Sequence, residues 1–132
     1  MSSLIGQVSY SLSSSGAFGS RSESYAFSSS NWFQTQTSPY FWQISFSKPV
    51  TITSYTIGGS SSWVNSLTSW EISYSNDGST FTTLQTNSVS TLMGNKYTFQ
   101  LNRQIYCKHF RITGKASTCG VVFLAFNQFN CF

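Results

Sequence analysis

The tract SWEISYSNDGSTFTTLQT, residues 69–86, constrains the fold more than any other part of the chain. Trp70, Ile72 and Tyr74 alternate with Glu71, Ser73 and Ser75, Asn76-Asp77-Gly78 follows, and Phe81 and Leu84 then stand among threonines. Apolar and polar residues at period two, a turn, and period two again describe two strands joined as a hairpin. A short hairpin loop needs positive φ, which Gly adopts without steric cost and Asn and Asp tolerate, so Asn-Asp-Gly suits the turn. A chain carrying such a hairpin is written for β-structure.

The remaining segments repeat that grammar. From Pro39 to Phe46, Trp42, Ile44 and Phe46 share one face while Gln43 and Ser45 take the other. Lys48-Pro49 interrupts this strand, because proline donates no ladder hydrogen bond, and Val50 to Ile57 resumes it until Gly58-Gly59. Gly58 to Leu67 then reads as a loop carrying Trp63 and Asn65, and Tyr97 to Leu101 as a further strand after the Gly94-Asn95 turn. Ile105 to Thr113 sets Tyr106, Lys108, Phe110 and Ile112 against Ile105, Cys107, His109, Arg111 and Thr113, with Gly114 ending it and a polar loop from Lys115 to Gly120 beyond. Val121 to Phe132 is apolar enough for a buried closing strand. Residues 1–30 form a Ser- and Gly-rich stretch, a less regular N-terminal arm in which Gln7 to Leu12 and Ser24 to Phe27 read as short strands. There is neither a long helical period nor a repeat of fixed length. The expectation is an all-β chain, one domain over residues 1–132, in which about eight antiparallel strands stack as a β-sandwich.

Composition supports this and narrows the chemistry. Ser and Thr supply roughly a third of the residues and aromatics 17%, a mixture that favours short strands. The 132 residues suffice for a core without metal or disulfide staples. Only three carboxylates are present, Glu23, Glu71 and Asp77, and one histidine, His109, which starves general acid-base catalysis of paired groups. Cys107 and His109, two apart on one strand, are more plainly a half-buried strand pair than a nucleophile and its base. Cys107, Cys119 and Cys131 lack metal-ligand spacing, and an odd number without an early partner reads as free thiols. The chain is therefore read as no enzyme, without metal or cofactor. The net charge of +4 gathers late, where Lys96, Arg103, Lys108, Arg111 and Lys115 follow one another with no carboxylate among them. Such a surface can attract an acidic partner, whether an acidic protein, anionic lipid or nucleic acid, but spaced single charges on strands more often only solubilise, and nucleic acid carries little weight. No stretch approaches a membrane span and no basic region followed by an apolar run opens the chain, so the location expected is cytoplasmic.

Three tracts in order carry a family resemblance: PYFWQISFSKPVTITSYTI, SWEISYSNDGSTF and KHFRITGKAS. Together they resemble the discoidin, or coagulation factor 5/8 type C, domain of the galactose-binding-like class, over about Asn31 to Phe132. The closest likeness is to the intracellular variant found beside BTB-type domains. The resemblance implies a jelly-roll sandwich whose loops at one end meet the ligand. It also implies a structural role for Arg111, bracing the sheet edge or neighbouring loops. Secreted members tie their termini with a disulfide, for which this chain has Cys131 and no early cysteine. Members that hold calcium place acids before the first long strand, where SSSNWFQTQTSP has none. Asn130 stands where a Glu is common in the closing strand.

Carried onto this chain, the end loops are Ser30 to Ser38, Ser60 to Asn65 and Lys115 to Cys119, and the candidate ligand contacts are Asn31, Gln34, Trp63, Asn65 and Lys115. Trp32, Trp42 and Trp70 read as core, while Trp63, among serines and near Asn65, is equipped to face a sugar ring or a protein side chain. The first functional expectation is a non-catalytic module gripping a protein partner in an intracellular assembly. The alternative is a lectin-like module holding a glycan through Trp63, Asn65 and Asn31.

Overall fold

The structure, a computed structural model, describes residues 3–59, 67–92, 94–117 and 123–132. It contains seven strands: β1 (Tyr10–Ser14), β2 (Phe33–Thr35), β3 (Phe41–Gly58), β4 (Leu67–Ser75), β5 (Thr82–Ser88), β6 (Lys96–Ser117) and β7 (Leu124–Cys131). All pairings are antiparallel. One 3-10 helix, Glu23–Phe27, lies where a strand over Ser24 to Phe27 was expected.

Two long strands build both layers of the sandwich. The first part of β3 lies between β1 (Tyr10↔Phe46, Ser14↔Trp42) and the last part of β6 (Trp42↔Ile112, Ile44↔Phe110), and β4 and β5 continue this layer. Its second part lies between the first part of β6 (Tyr55↔Phe99) and β7 (Tyr55↔Cys131), with β2 at the edge (Phe33↔Phe126). Proline at position 49 breaks the ladder, as expected, but not the strand: pairing with β6 stops after Ser45↔His109 and resumes at Val50↔Cys107. The two segments expected over Tyr97 to Thr113 are likewise one strand, running through Gly114 to Ser117.

That excursion of β3 also shifts the faces of β6. Leu101, Ile105 and Cys107 point into the core, then Phe110 and Ile112, so the inward parity changes across Lys108-His109. The single face expected for Ile105, Cys107, His109, Arg111 and Thr113 therefore ends at Cys107. A bulge of this kind inserts unpaired residues and re-aims every side chain beyond it.

Between the layers, the Trp42 ring lies 5.3 Å from Phe126 and 4.7 Å from Phe129, and Tyr55 stacks on Phe99 at 5.4 Å. Buried Trp70 donates its indole N–H to the Tyr55 hydroxyl at 2.7 Å, which donates in turn to Asn87 Oδ1 at 2.5 Å. Burial raises the Tyr55 phenol above its usual pKa, against a smaller lowering by the Trp70 bond. The N-terminal stretch joins this body: Ala26 is buried, Phe27 meets Trp42 edge-on at 5.9 Å, and Leu4 N–H donates to the Cys131 carbonyl at 3.0 Å. Cys107 and Cys131 are buried free thiols, each pushed up to about 12 by desolvation, and Cys119 lies outside the described residues.

Candidate functional site

A cleft of about 370 Å³ opens where four pieces of chain converge: Ser29 and Ser30, Gly59 just beyond β3, Gly94 to Lys96 entering β6, and Asn127 and Gln128 in β7. The 3-10 helix delivers the serine loop, which folds on itself as Ser28 Oγ accepts the Ser30 and Asn31 amides at 3.1 and 2.8 Å. Strand β7 ties that loop down: Gln128 N–H donates to Ser28 O and Asn127 Nδ2 to Asn31 O, both at 3.0 Å. Gln128 sits at φ 53, a left-handed conformation unusual for a side-chain-bearing residue and one that turns the strand at the cleft wall.

Across the cleft, Gly59 donates to Asn95 O at 3.0 Å and Gly94 donates to Gly59 O at 3.1 Å. Glycine is required at 59 because a Cβ there would lie 2.5 Å from the Leu92 carbonyl oxygen. The residues lining the walls are polar: Asn95 and Gln128 with amide side chains, Ser29 and Ser30 with hydroxyls, and Lys96. Buried Asn127 is occupied, its Oδ1 accepting Gln128 Nε2 at 3.3 Å. Side-chain amides both donate and accept, the property needed to pair with hydroxyls that do the same.

The expected contacts distribute unevenly around this cleft. Asn31 adjoins it through its carbonyl bond to Asn127, while its side chain accepts Arg21 Nη1 at 3.2 Å. Gln34, on β2, accepts the Trp32 indole N–H at 3.1 Å, and the Arg21 guanidinium lies 3.7 Å above the Trp32 ring. Trp32 is half-buried against Phe123 and Ala125, outside the main core in which Trp42 and Trp70 lie. Lys115 belongs to strand β6 rather than to a loop, and pairs with Glu71 Oε1 at 3.7 Å, away from the cleft. Trp63 and Asn65 lie outside the described residues, in the segment that leaves Gly59. Ser29, Asn95, Lys96 and Gln128 line the cleft but were not among the contacts expected from the sequence. The Gly94-Asn95 turn was visible as a turn, but the bracing of Gln128 against the serine loop depends on contacts distant in sequence.

Elsewhere the polar groups are committed to structure. Arg111 lies between the Phe41 and Phe81 rings at 3.9 and 3.8 Å and donates twice to Gln43 Oε1, as the bracing role implied. His109 shares a hydrogen bond with Ser45 Oγ at 2.8 Å on the outer face, away from the core thiol of Cys107, so the two make no nucleophile-base pair. Burial first, and the Lys108 charge second, hold the His109 imidazole below its usual pKa. Among the described residues no group of three or more His, Cys, Asp or Glu is placed to hold a metal ion, and no helix is long and apolar enough to cross a membrane. A shallower groove of about 270 Å³ lies at the β3 excursion, between Tyr10, Ser47 and Lys108.

Comparison with known proteins places this architecture. The model of the F5/8 type C domain family matches residues 7–125. The chain belongs to that family. No curated protein sequence matches significantly. Solved structures with the same fold include the F5/8 type C domain of a Bacteroides fragilis protein, 18% identical at a TM-score of 0.80, covering 98% of this chain and 94% of the other. A CBM32-5 module of Clostridium perfringens, solved in complex with GalNAc-β-1,3-galactose, is 17% identical at a TM-score of 0.77 with 99% of each chain covered. CBM32-1 from a Clostridium perfringens family 31 glycoside hydrolase is 23% identical at a TM-score of 0.74, with 93% of each covered. The F5/8 type C domain is thus the family expected from the three tracts, whereas its intracellular, BTB-associated variant and a preference for a protein partner find no support here.

Proposed function

We propose that this F5/8 type C domain is a non-catalytic carbohydrate-binding module that holds a saccharide in the cleft between the serine loop, the Gly94–Lys96 turn and Gln128. The observation carrying this reading is the lining: amides, hydroxyls and one ammonium, with no carboxylate pair to perform hydrolysis. The glycan-complexed CBM32-5 module of the same fold supports the choice of ligand class. Trp63 and Asn65, which follow Gly59 in sequence, complete the proposed contact set with Asn31, Trp63 supplying an aromatic face for the sugar. Gln34, bonded to the Trp32 indole, and Lys115, paired with Glu71, stand outside the proposed contact set.

Glycan-array binding tests the proposal. The wild-type domain gives glycan-dependent signal, Trp63→Ala abolishes it, and Gln128→Ala weakens it about three- to tenfold, the worth of one or two hydrogen bonds. A blank array, with co-purification of a stoichiometric protein partner instead, would favour the assembly module expected first.

A further inference from the structure

We infer that the cleft selects an acidic sugar, one bearing a carboxylate, and that Lys96 is the residue that reads it; the inference rests on the carbohydrate-binding reading above. Lys96 is exposed and lines the cleft at the start of β6, where it pairs with Gly58 of β3. Its charge stands unopposed. The sequence contains three side-chain carboxylates, and each can be accounted for. Glu23 accepts the Ser14 hydroxyl at 2.6 Å. Glu71 is paired with Lys115 and accepts Thr83 Oγ1 at 3.3 Å. Asp77 is closed into the β4–β5 turn. None lines the cleft, and segments 60–66 and 118–122 contain no charged residue.

A second cation stands nearby. Arg21 is bonded to the side chain of Asn31, whose carbonyl holds the cleft residue Asn127. The cleft lining thus holds one cation, Lys96, and no carboxylate, among residues able to form hydrogen bonds. A neutral sugar hydroxyl can accept a hydrogen bond from the ammonium but brings no opposite charge to it. A carboxylate at the Lys96 end adds a charge-assisted hydrogen bond, stronger than its neutral counterpart, and makes binding sensitive to salt.

The test is an array carrying both neutral and carboxylate-bearing glycans, uronic and sialic acids among them, probed with wild-type and Lys96→Met protein at low and high sodium chloride. The amide hydrogen-nitrogen spectrum of the variant checks that its fold is retained. The strongest wild-type signals are expected on the acidic glycans, with the ratio of acidic to neutral signal falling about tenfold in Lys96→Met and falling also with salt. Strongest signals on neutral glycans, or acidic signals that Lys96→Met leaves in place, would overturn the inference while leaving the carbohydrate reading intact. No signal on any glycan would overturn both.

Discussion

Asp77 shows how much one side chain can organise. Its Oδ1 accepts the amides of Ser79 and Thr80 at 2.8 and 2.9 Å and the Ser75 hydroxyl at 2.8 Å. The backbone bonds to Thr80 and Ser79, followed by that from Ser75, lower its carboxyl to about 2. A depressed carboxylate pKa contributes stability that is present above its unfolded value, near 3.8, and lost as pH falls through the folded value. Asp77→Ala should therefore lower the melting temperature at pH 7, with the gap from wild type narrowing between about pH 4 and pH 2; thermal melts across that range check it. A gap constant down to pH 2 would show that the turn works without the charge. Asn-Asp-Gly was legible as a turn, but only Gly78, at φ 78, takes the expected positive φ. The loop runs from Asn76 to Phe81, held by the Asp77 carboxylate, because a side chain that satisfies successive amides removes the need for a tight two-residue turn.

At the scale of elements, the strands whose pattern is local were legible and their long-range arrangement was not. The β4–β5 hairpin and the Trp42, Ile44, Phe46 face follow from period two alone. The unbroken length of β6 and its change of inward face do not, since both depend on β3 leaving the ladder around Pro49 and rejoining it at Val50. Ser24–Phe27 was misread for a related reason: four residues give too little pattern to separate a strand from a turn of helix, and the packing of Ala26 and Phe27 decides. One chain of hydrogen bonds, buried at its Trp70 end, joins three strands, from Trp70 in β4 through Tyr55 in β3 to Asn87 in β5. Tyr55→Phe keeps the ring against Phe99 but leaves the indole N–H and the Asn87 amide oxygen without that hydroxyl. The expected cost is about 1–3 kcal/mol of stability, measured by urea denaturation. A loss below about 0.5 kcal/mol would mean that water replaces the hydroxyl.

Across the whole molecule, the sandwich brings together the segments that line the proposed binding cleft. Family and architecture could be read because they rest on tracts of neighbouring residues, PYFWQISF, SWEISYSNDG and KHFRIT. The cleft could be read only in part, because Ser29, Asn95 and Gln128 meet through the closing of β7 against β3 and the serine loop. Asn31 was placed beside it by resemblance, whereas Lys115 was drawn out of the loops by the extension of β6. The central claim is that a saccharide sits in this cleft. Amide hydrogen-nitrogen correlation spectra, recorded while a glycan selected on the array is titrated in, test it most directly. The account predicts shifts concentrated at Ser29, Ser30, Asn95, Lys96 and Gln128; shifts centred instead on Tyr10, Ser47 and Lys108 in the second groove would contradict it.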